Sequence, residues 1–138
     1  MTDLFDRNVF IGIIGTRRRD TREDYVLVTQ AFLEVSKDYV GRSIIIVSGG
    51  CPEGGDRFAE IIAKTHGHDK LIHYPDKTRY LDTPLRFRAT KQNYERNTLI
   101  ARDSKDELIA CVASDRKGGT EDTIKKWIRF HHKDVILV

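Results

Sequence analysis

Short runs of consecutive apolar residues alternate along the chain with longer stretches in which apolar residues recur every three or four positions. The runs 9–14 and 44–47 are rich in β-branched residues, which is typical of strands buried on both faces, and three further strands are predicted at residues 70–74, 107–112 and 135–138. The helical spacing lies between them, from Tyr25 to Val35, from Phe58 to Thr65, from about Leu85 to Asp103 and around Trp127. The pattern predicts five strands and four helices in strict alternation.

This alternation predicts an α/β fold with a parallel sheet, because parallel neighbours require right-handed crossovers that place helices on both faces. We expect a Rossmann-like three-layer α/β/α domain of about five parallel strands, in the order 3-2-1-4-5, that occupies the whole chain, residues 1–138. The first strand then lies between the second and the fourth. The carboxyl ends of these three strands therefore meet at one edge of the sheet.

Composition limits the classes of protein that remain. No run of 18 apolar residues exists, which excludes a helical membrane span, and the polar residues 1–7 do not have the pattern of a signal peptide. Without a secretion signal, Cys51 and Cys111 predict reduced thiols and a cytoplasmic location. The formal net charge of +3 is too small to indicate nucleic-acid binding by itself.

Eight of the ten glycines fall in or after the first, second and fourth strands: Gly12, Gly15, Gly49, Gly50, Gly54, Gly55, Gly118 and Gly119. Glycine lets backbone N–H groups approach a ligand closely, and helix N-termini favour anions. The hydroxyls of Thr16, Ser48 and Thr120 add side-chain donors to the same loops. Glycines also commonly do no more than end strands and begin helices, but three adjacent loops of this kind favour a phosphate-bearing ligand.

Two common phosphate-binding motifs are absent. The first loop lacks the third glycine of G-x-G-x-x-G, and the second strand ends in Ser48-Gly49-Gly50 where a dinucleotide-binding domain carries an acidic residue. No glycine-lysine pair exists to complete a P-loop. These differences disfavour ordinary NAD dehydrogenases and P-loop NTPases.

Four motifs in order resemble the SLOG superfamily, and most of all its YspA/YpsA-like branch. They are Gly15-Thr16-Arg17, the segment 48–57 that reads SGGCPEGGDR, Arg96-Asn97, and Gly118-Gly119-Thr120. The resemblance covers about residues 8–138 and implies a Rossmann-like domain that binds nucleotides or nucleotide-derived ligands. The ligand-binding residues it implies are Gly15, Thr16, Arg17, Ser48, Gly49, Gly50, Gly54, Gly55, Asp56, Arg96, Asn97, Gly118, Gly119 and Thr120.

Relatives in this superfamily differ in activity. The Lonely Guy enzymes cleave the N-glycosidic bond of nucleoside 5′-monophosphates, the DNA-processing protein A group binds single-stranded DNA, and many small members are regarded as ligand sensors. The Lonely Guy pattern P-G-G-x-G-T-x-x-E is compressed here, and Thr123 stands in the place of its catalytic glutamate. If the chain is a hydrolase, the carboxylate would come from Asp56, Glu121 or Asp122. No metal or further cofactor is implied, and a homo-oligomer is possible.

Several of these residues have a second interpretation. Arg17 is a candidate phosphate ligand, whereas Arg18 and Arg19 suit a solvated surface. Asp56 can hold a ribose, orient Arg17 or cap a helix that starts at Arg57. Thr120 can cap its helix and still offer its hydroxyl to a phosphate.

Other chemistry is less well supported. Cys51 lies in a glycine loop and is a candidate nucleophile, but no histidine partner is evident. His66 and His68 have ligand-like spacing without the companions of a metal site. Basic residues interleaved with Phe87 and Tyr94 in the third helix allow single-stranded nucleic acid as the alternative ligand, although nearby acidic residues also suit a solvated helix face.

Overall fold

The computed structural model describes residues 8–138, so the sequence prediction made for residues 1–7 lies outside the described part of the chain. Within residues 8–138, five strands and four α-helices alternate, and a short 3-10 helix, Lys37–Tyr39, follows the first of these helices. The strands are β1 (Val9–Gly15), β2 (Ile44–Gly49), β3 (Asp69–His73), β4 (Glu107–Cys111) and β5 (Ile136–Leu137). The helices are α1 (Arg22–Ser36), α2 (Gly55–His66), α3 (Leu85–Asp103) and α4 (Gly119–His131).

All strand pairs are parallel, and the sheet order is β3-β2-β1-β4-β5. In the centre of the sheet, Ile11 of β1 is opposite Ile46 of β2 on one side and Glu107 of β4 on the other. Both the strand order and the α/β class confirm the prediction. None of the helices within residues 8–138 combines the length and hydrophobicity that a membrane span requires.

Each face of the sheet has its own apolar core, which makes the fold a three-layer sandwich. On one face, α1 and α2 pack on the sheet through Phe32, Phe58 and Ile62, all fully buried. On the other face, α3 and α4 pack through Ile100 and Trp127. Trp127 is buried completely, and its indole N–H donates to the carbonyl O of Ser104 over 2.7 Å.

Local sequence signals explain most helix boundaries. Thr21 caps α1 in a capping box with Asp24, and Gly67 ends α2 in the left-handed conformation. Two predicted caps are wrong, because α2 begins at Gly55 with Asp56 inside its first turn, and Thr120 lies inside α4 without capping it. In both helices a glycine takes the capping position, where no side chain is present to bond the first N–H groups.

Candidate ligand-binding cleft

A cleft of about 800 Å³ opens at the carboxyl edge of the sheet, where β1, β2 and β4 end. Ten of the fourteen ligand-binding residues expected from the resemblance line it: Gly15, Thr16, Arg17, Gly50, Asp56, Arg96, Asn97, Gly118, Gly119 and Thr120. The other four, Ser48, Gly49, Gly54 and Gly55, are buried and lie outside its lining.

Two of these buried glycines bring the N-terminus of α2 against the backbone of β1. A Cβ on Gly55 would overlap the carbonyl group of Ile14, and a Cβ on Gly54, which has a φ of 71°, would overlap the carbonyl O of Thr16. The Gly54 N–H donates to Oδ1 of Asp20 over 2.7 Å. The protein itself therefore occupies this helix end, and close packing explains both glycines.

Gly49 makes room for two opposite charges at the floor of the cleft. A Cβ there would lie 2.6 Å from Oδ2 of Asp56 and 2.7 Å from Nη1 of Arg96. Asp56 is 8% exposed, Ser48 Oγ lies 3.1 Å from its Oδ1, and the Cys51 N–H donates to its Oδ2 over 3.2 Å. Burial raises the pKa of this carboxyl group, while the charge of Arg96 and these hydrogen bonds act in the opposite direction.

Arg96 is in turn held by its neighbour in α3. Its Nε donates to Oδ1 of Asn97 over 3.1 Å, and Nδ2 of Asn97 donates to Oδ2 of Asp122 over 3.2 Å. Lys126 donates to the same carboxylate oxygen over 2.8 Å. The terminal Nη nitrogens of Arg96 have no hydrogen-bond partner among the described residues, although the charge of Arg96 acts on the carboxylate of Asp56, and Arg96 lines the cleft.

The N-terminus of α4 differs from that of α2 because Gly118 and Gly119 are open to the cleft, whereas Gly54 and Gly55 pack against the end of β1. Gly118 precedes the helix with a φ of 119°, a conformation that favours glycine. Within residues 8–138, the N–H groups of Gly119 and Thr120 have no hydrogen-bond acceptor. Two backbone donors and the positive end of a helix are thus present at the cleft wall.

The three successive arginines after β1 have different environments. Arg17 is exposed, lines the cleft and has no partner within residues 8–138. Arg18 forms a two-pronged ion pair with Asp115 at 2.8 Å for each contact, and Arg19 donates to Asp24 and to the carbonyl O of Val112. Arg18 is exposed, as expected for a solvated surface, whereas Arg19 is only partly exposed, and both connect the β1 loop to the β4 side of the sheet.

The sequence reasoning missed part of the cleft wall that follows β3. Tyr74, Pro75 and Lys77 line the cleft, and the Tyr74 ring lies where a Cβ of Gly50 would be. The predicted order already placed β3 beside β2, so the residues after β3 belonged to the same edge. Along α3, Thr90, Asn93 and Tyr94 complete this wall.

Positive charge dominates the cleft. Its lining contains five cationic side chains, those of Arg17, Arg18, Lys77, Arg96 and Lys117. Asp56 is the one carboxylate in that lining. An anion in this position gains favourable electrostatic interactions from several sides.

The remaining candidates have other environments. Cys51 lines the cleft as a partly buried free thiol, and Cys111 is buried in the core. His66 and His68 pack beside Phe32, with ring centroids 6.2 and 5.4 Å away. Among residues 8–138 no group of three or more His, Cys, Asp or Glu side chains is placed to hold a metal ion.

Fold and cleft together define an α/β protein with a parallel five-stranded sheet and a cationic cleft at its carboxyl edge. Comparisons of the chain with protein-family models, with curated proteins and with solved structures found no match.

Proposed function

We propose that this chain is a nucleotide-binding domain that takes a nucleotide or nucleotide-derived ligand in the cleft, with the ligand's phosphate at the arginines and the glycine loop of α4. The observation that carries the proposal is the charge of the lining, five cations against one carboxylate, next to two unsatisfied backbone donors. Parallel α/β sheets bind ligands at this edge. The resemblance to the SLOG superfamily supports the same class of ligand.

Different residues of the cleft suit the phosphate, the base and the ribose of a nucleotide. Arg17 is exposed and free of partners among the described residues, so its guanidinium can form two parallel hydrogen bonds to phosphate oxygens. Tyr74 and Tyr94, 63% and 48% exposed, offer aromatic faces on which a base can stack. Each carboxylate oxygen of Asp56 accepts one hydrogen bond from the Ser48–Cys51 loop and has a second lone pair that can accept a ribose hydroxyl.

We assign the domain to binding or sensing in preference to N-glycosidic hydrolysis. Of the three carboxylates considered for hydrolysis, Glu121 pairs with Arg116 over 2.8 Å and Asp122 is held by Asn97 and Lys126, and neither lines the cleft. Asp56 does line it, but the Ser48–Cys51 loop already engages both of its oxygens. A hydrolase of this design would depend on Asp56 alone.

A thermal-shift screen tests the proposal with mononucleotides, ADP-ribose and NAD. We expect at least one of them to raise the melting temperature, since a ligand that binds only the native state stabilises it. Arg17→Ala is expected to weaken that binding about tenfold or more, because a charge-assisted hydrogen bond to phosphate is lost. Arg22→Ala is the matched control, since Arg22 is exposed at the start of α1 and lies outside the cleft lining. Equal binding by both variants would contradict the assignment of Arg17.

The alternative function is single-stranded nucleic-acid binding. It is favoured by the exposed Phe87 ring beneath the Arg86 guanidinium, 4.7 Å away, and by Lys91 next to Tyr80 on the same side of α3. Retention of an oligonucleotide that weakens steeply with salt, together with no shift by any mononucleotide, would establish this alternative.

A further inference from the structure

We infer that Asp122 is a positioning residue for the anion site, because it fixes the amide of Asn97 and thereby aims Arg96 into the cleft. This inference rests on the proposed function in one respect only, that the anion is part of a nucleotide. The contacts that carry it form one continuous series of hydrogen bonds, which runs from Lys126 through Asp122 and Asn97 to Arg96.

The order of donors and acceptors in this series of hydrogen bonds is fixed by the donor and acceptor groups of the side chains. An arginine side chain only donates, so Asn97 must present its oxygen to Nε of Arg96. The amide nitrogen of Asn97 then faces two acceptors, Oδ2 of Asp122 at 3.2 Å and the carbonyl O of Gly119 at 3.4 Å. Reversing the amide would set donor against donor at Arg96 and acceptor against acceptor at Asp122.

Burial of Asn97 makes the hydrogen bond to Asp122 hard to replace. Asn97 is 5% exposed, so water has little access to replace a lost partner of its amide nitrogen. The carboxylate of Asp122 is itself held by Lys126, one turn further along α4. With Nε engaged, Arg96 can meet an anion only through its two terminal nitrogens, end-on above Gly49.

The Asn97 amide also connects the two groups of donors in the proposed anion site, the Arg96 guanidinium in α3 and the N–H groups at the start of α4. Asn97 contacts Arg96 in α3 and the carbonyl O of Gly119 in α4, whose neighbouring N–H groups face no acceptor among the described residues. Asp122 lies outside the cleft lining, so it acts through Asn97 and does not touch a ligand in the cleft.

The first test needs no ligand. In a proton–nitrogen NMR spectrum, the Nε–H signal of Arg96, identified by its absence in Arg96→Met, is expected to exchange slowly with water because of its bond to Asn97. Asp122→Ala should abolish that protection. Glu121→Ala is the matched control, since it removes the neighbouring first-turn carboxylate of α4, which pairs with Arg116. Protection that survives Asp122→Ala would overturn the inference.

The second test is a double-mutant cycle on the affinity for AMP and for inorganic phosphate. Asp122→Ala is expected to weaken binding about tenfold, at the lower end of the loss seen when a group that orients a metal ligand is removed. In an Arg96→Met background the same substitution should cost nothing more, because its effect passes through Arg96. Losses that add, or an unchanged affinity in Asp122→Ala, would overturn the inference.

The two tests separate the two proposals. If the Nε–H signal behaves as expected and no nucleotide binds, the nucleotide-binding proposal fails and the positioning by Asp122 stands. If AMP binds wild type and Asp122→Ala equally well, the positioning role fails and the nucleotide-binding proposal stands.

Discussion

Gly55→Ala is expected to lower the free energy of unfolding by about 3 kcal/mol, at the upper end of the cost of overpacking. The added Cβ would overlap the carbonyl group of Ile14 and the backbone N of Gly15, which cannot rotate away as a side chain can. The N-terminus of α2 would have to move from β1, and the Asp56 carboxylate in its first turn would move with it. Chemical denaturation measures the loss directly.

Gly119→Ala is the matched control for this substitution. A Cβ on Gly119 meets only Nδ2 of Asn97, at 3.8 Å, which is ordinary contact. At the first position of α4, alanine is expected to stabilise the protein by about 0.5 kcal/mol by restricting the unfolded chain. If the two variants had equal stability, the close packing of α2 on β1 would not be the reason for Gly55.

Arg96→Met is expected to destabilise the protein at neutral pH by about 2 kcal/mol, since a buried carboxylate loses its nearest compensating charge. Burial already raises the pKa of Asp56, and the charge of Arg96 opposes that rise. Without Arg96 the folded-state pKa rises further above its unfolded value. Protonated Asp56 therefore stabilises the folded state at low pH, and this stabilisation is lost as the pH rises through the folded-state pKa. The pH range of that loss is wider in Arg96→Met than in wild type.

The sign of this effect makes it testable by unfolding as a function of pH. The difference between wild type and Arg96→Met should be largest at neutral pH and should shrink as the pH falls towards the ordinary range of a carboxyl group, near 3.8. Arg17→Met is the control, because Arg17 is exposed and faces no carboxylate within residues 8–138. If the free energy of unfolding of Arg96→Met were lower than that of wild type by the same amount at every pH, the substitution would have removed packing and not charge compensation.

The parallel sheet was predictable because β1, β2 and β4 are buried and are nearly continuous apolar runs that alternate with helical patterns. The same pattern placed the bounds of α3 at Leu85 and Asp103, where the structure has them. Boundaries that depend on the backbone were less predictable. β2 extends through Gly49, and β5 contains only Ile136 and Leu137 of the four residues expected.

The roles of individual glycines could not be predicted, since a glycine in a sequence does not show what it faces. Gly12 lies inside β1, as predicted, opposite Val47 and Leu108, but the sequence could not show that a Cβ there would overlap Oγ of Ser104. Gly119, in contrast, is open to the cleft. Close packing and ligand access both select glycine, and only the neighbouring atoms distinguish them.

Contacts between distant segments were hidden for a related reason. Nothing in the run of three arginines indicates that Arg18 pairs with Asp115, 97 residues away, while Arg17 remains exposed. Likewise, the bond between Asn97 and Asp122 joins two helices whose relative placement follows only from their packing on the sheet.

The most direct test of the central claim is an NMR titration of backbone amides with AMP. A nucleotide phosphate at the proposed site should shift the N–H signals of Gly119 and Thr120 in a saturable way. The amides of Gly41 and Gly67, both exposed and outside the cleft lining, should not move. The predicted result is a set of saturable shifts confined to residues that line the cleft. Unchanged signals at Gly119 and Thr120, or shifts confined to the part of α3 around Phe87 and Lys91, would contradict the claim.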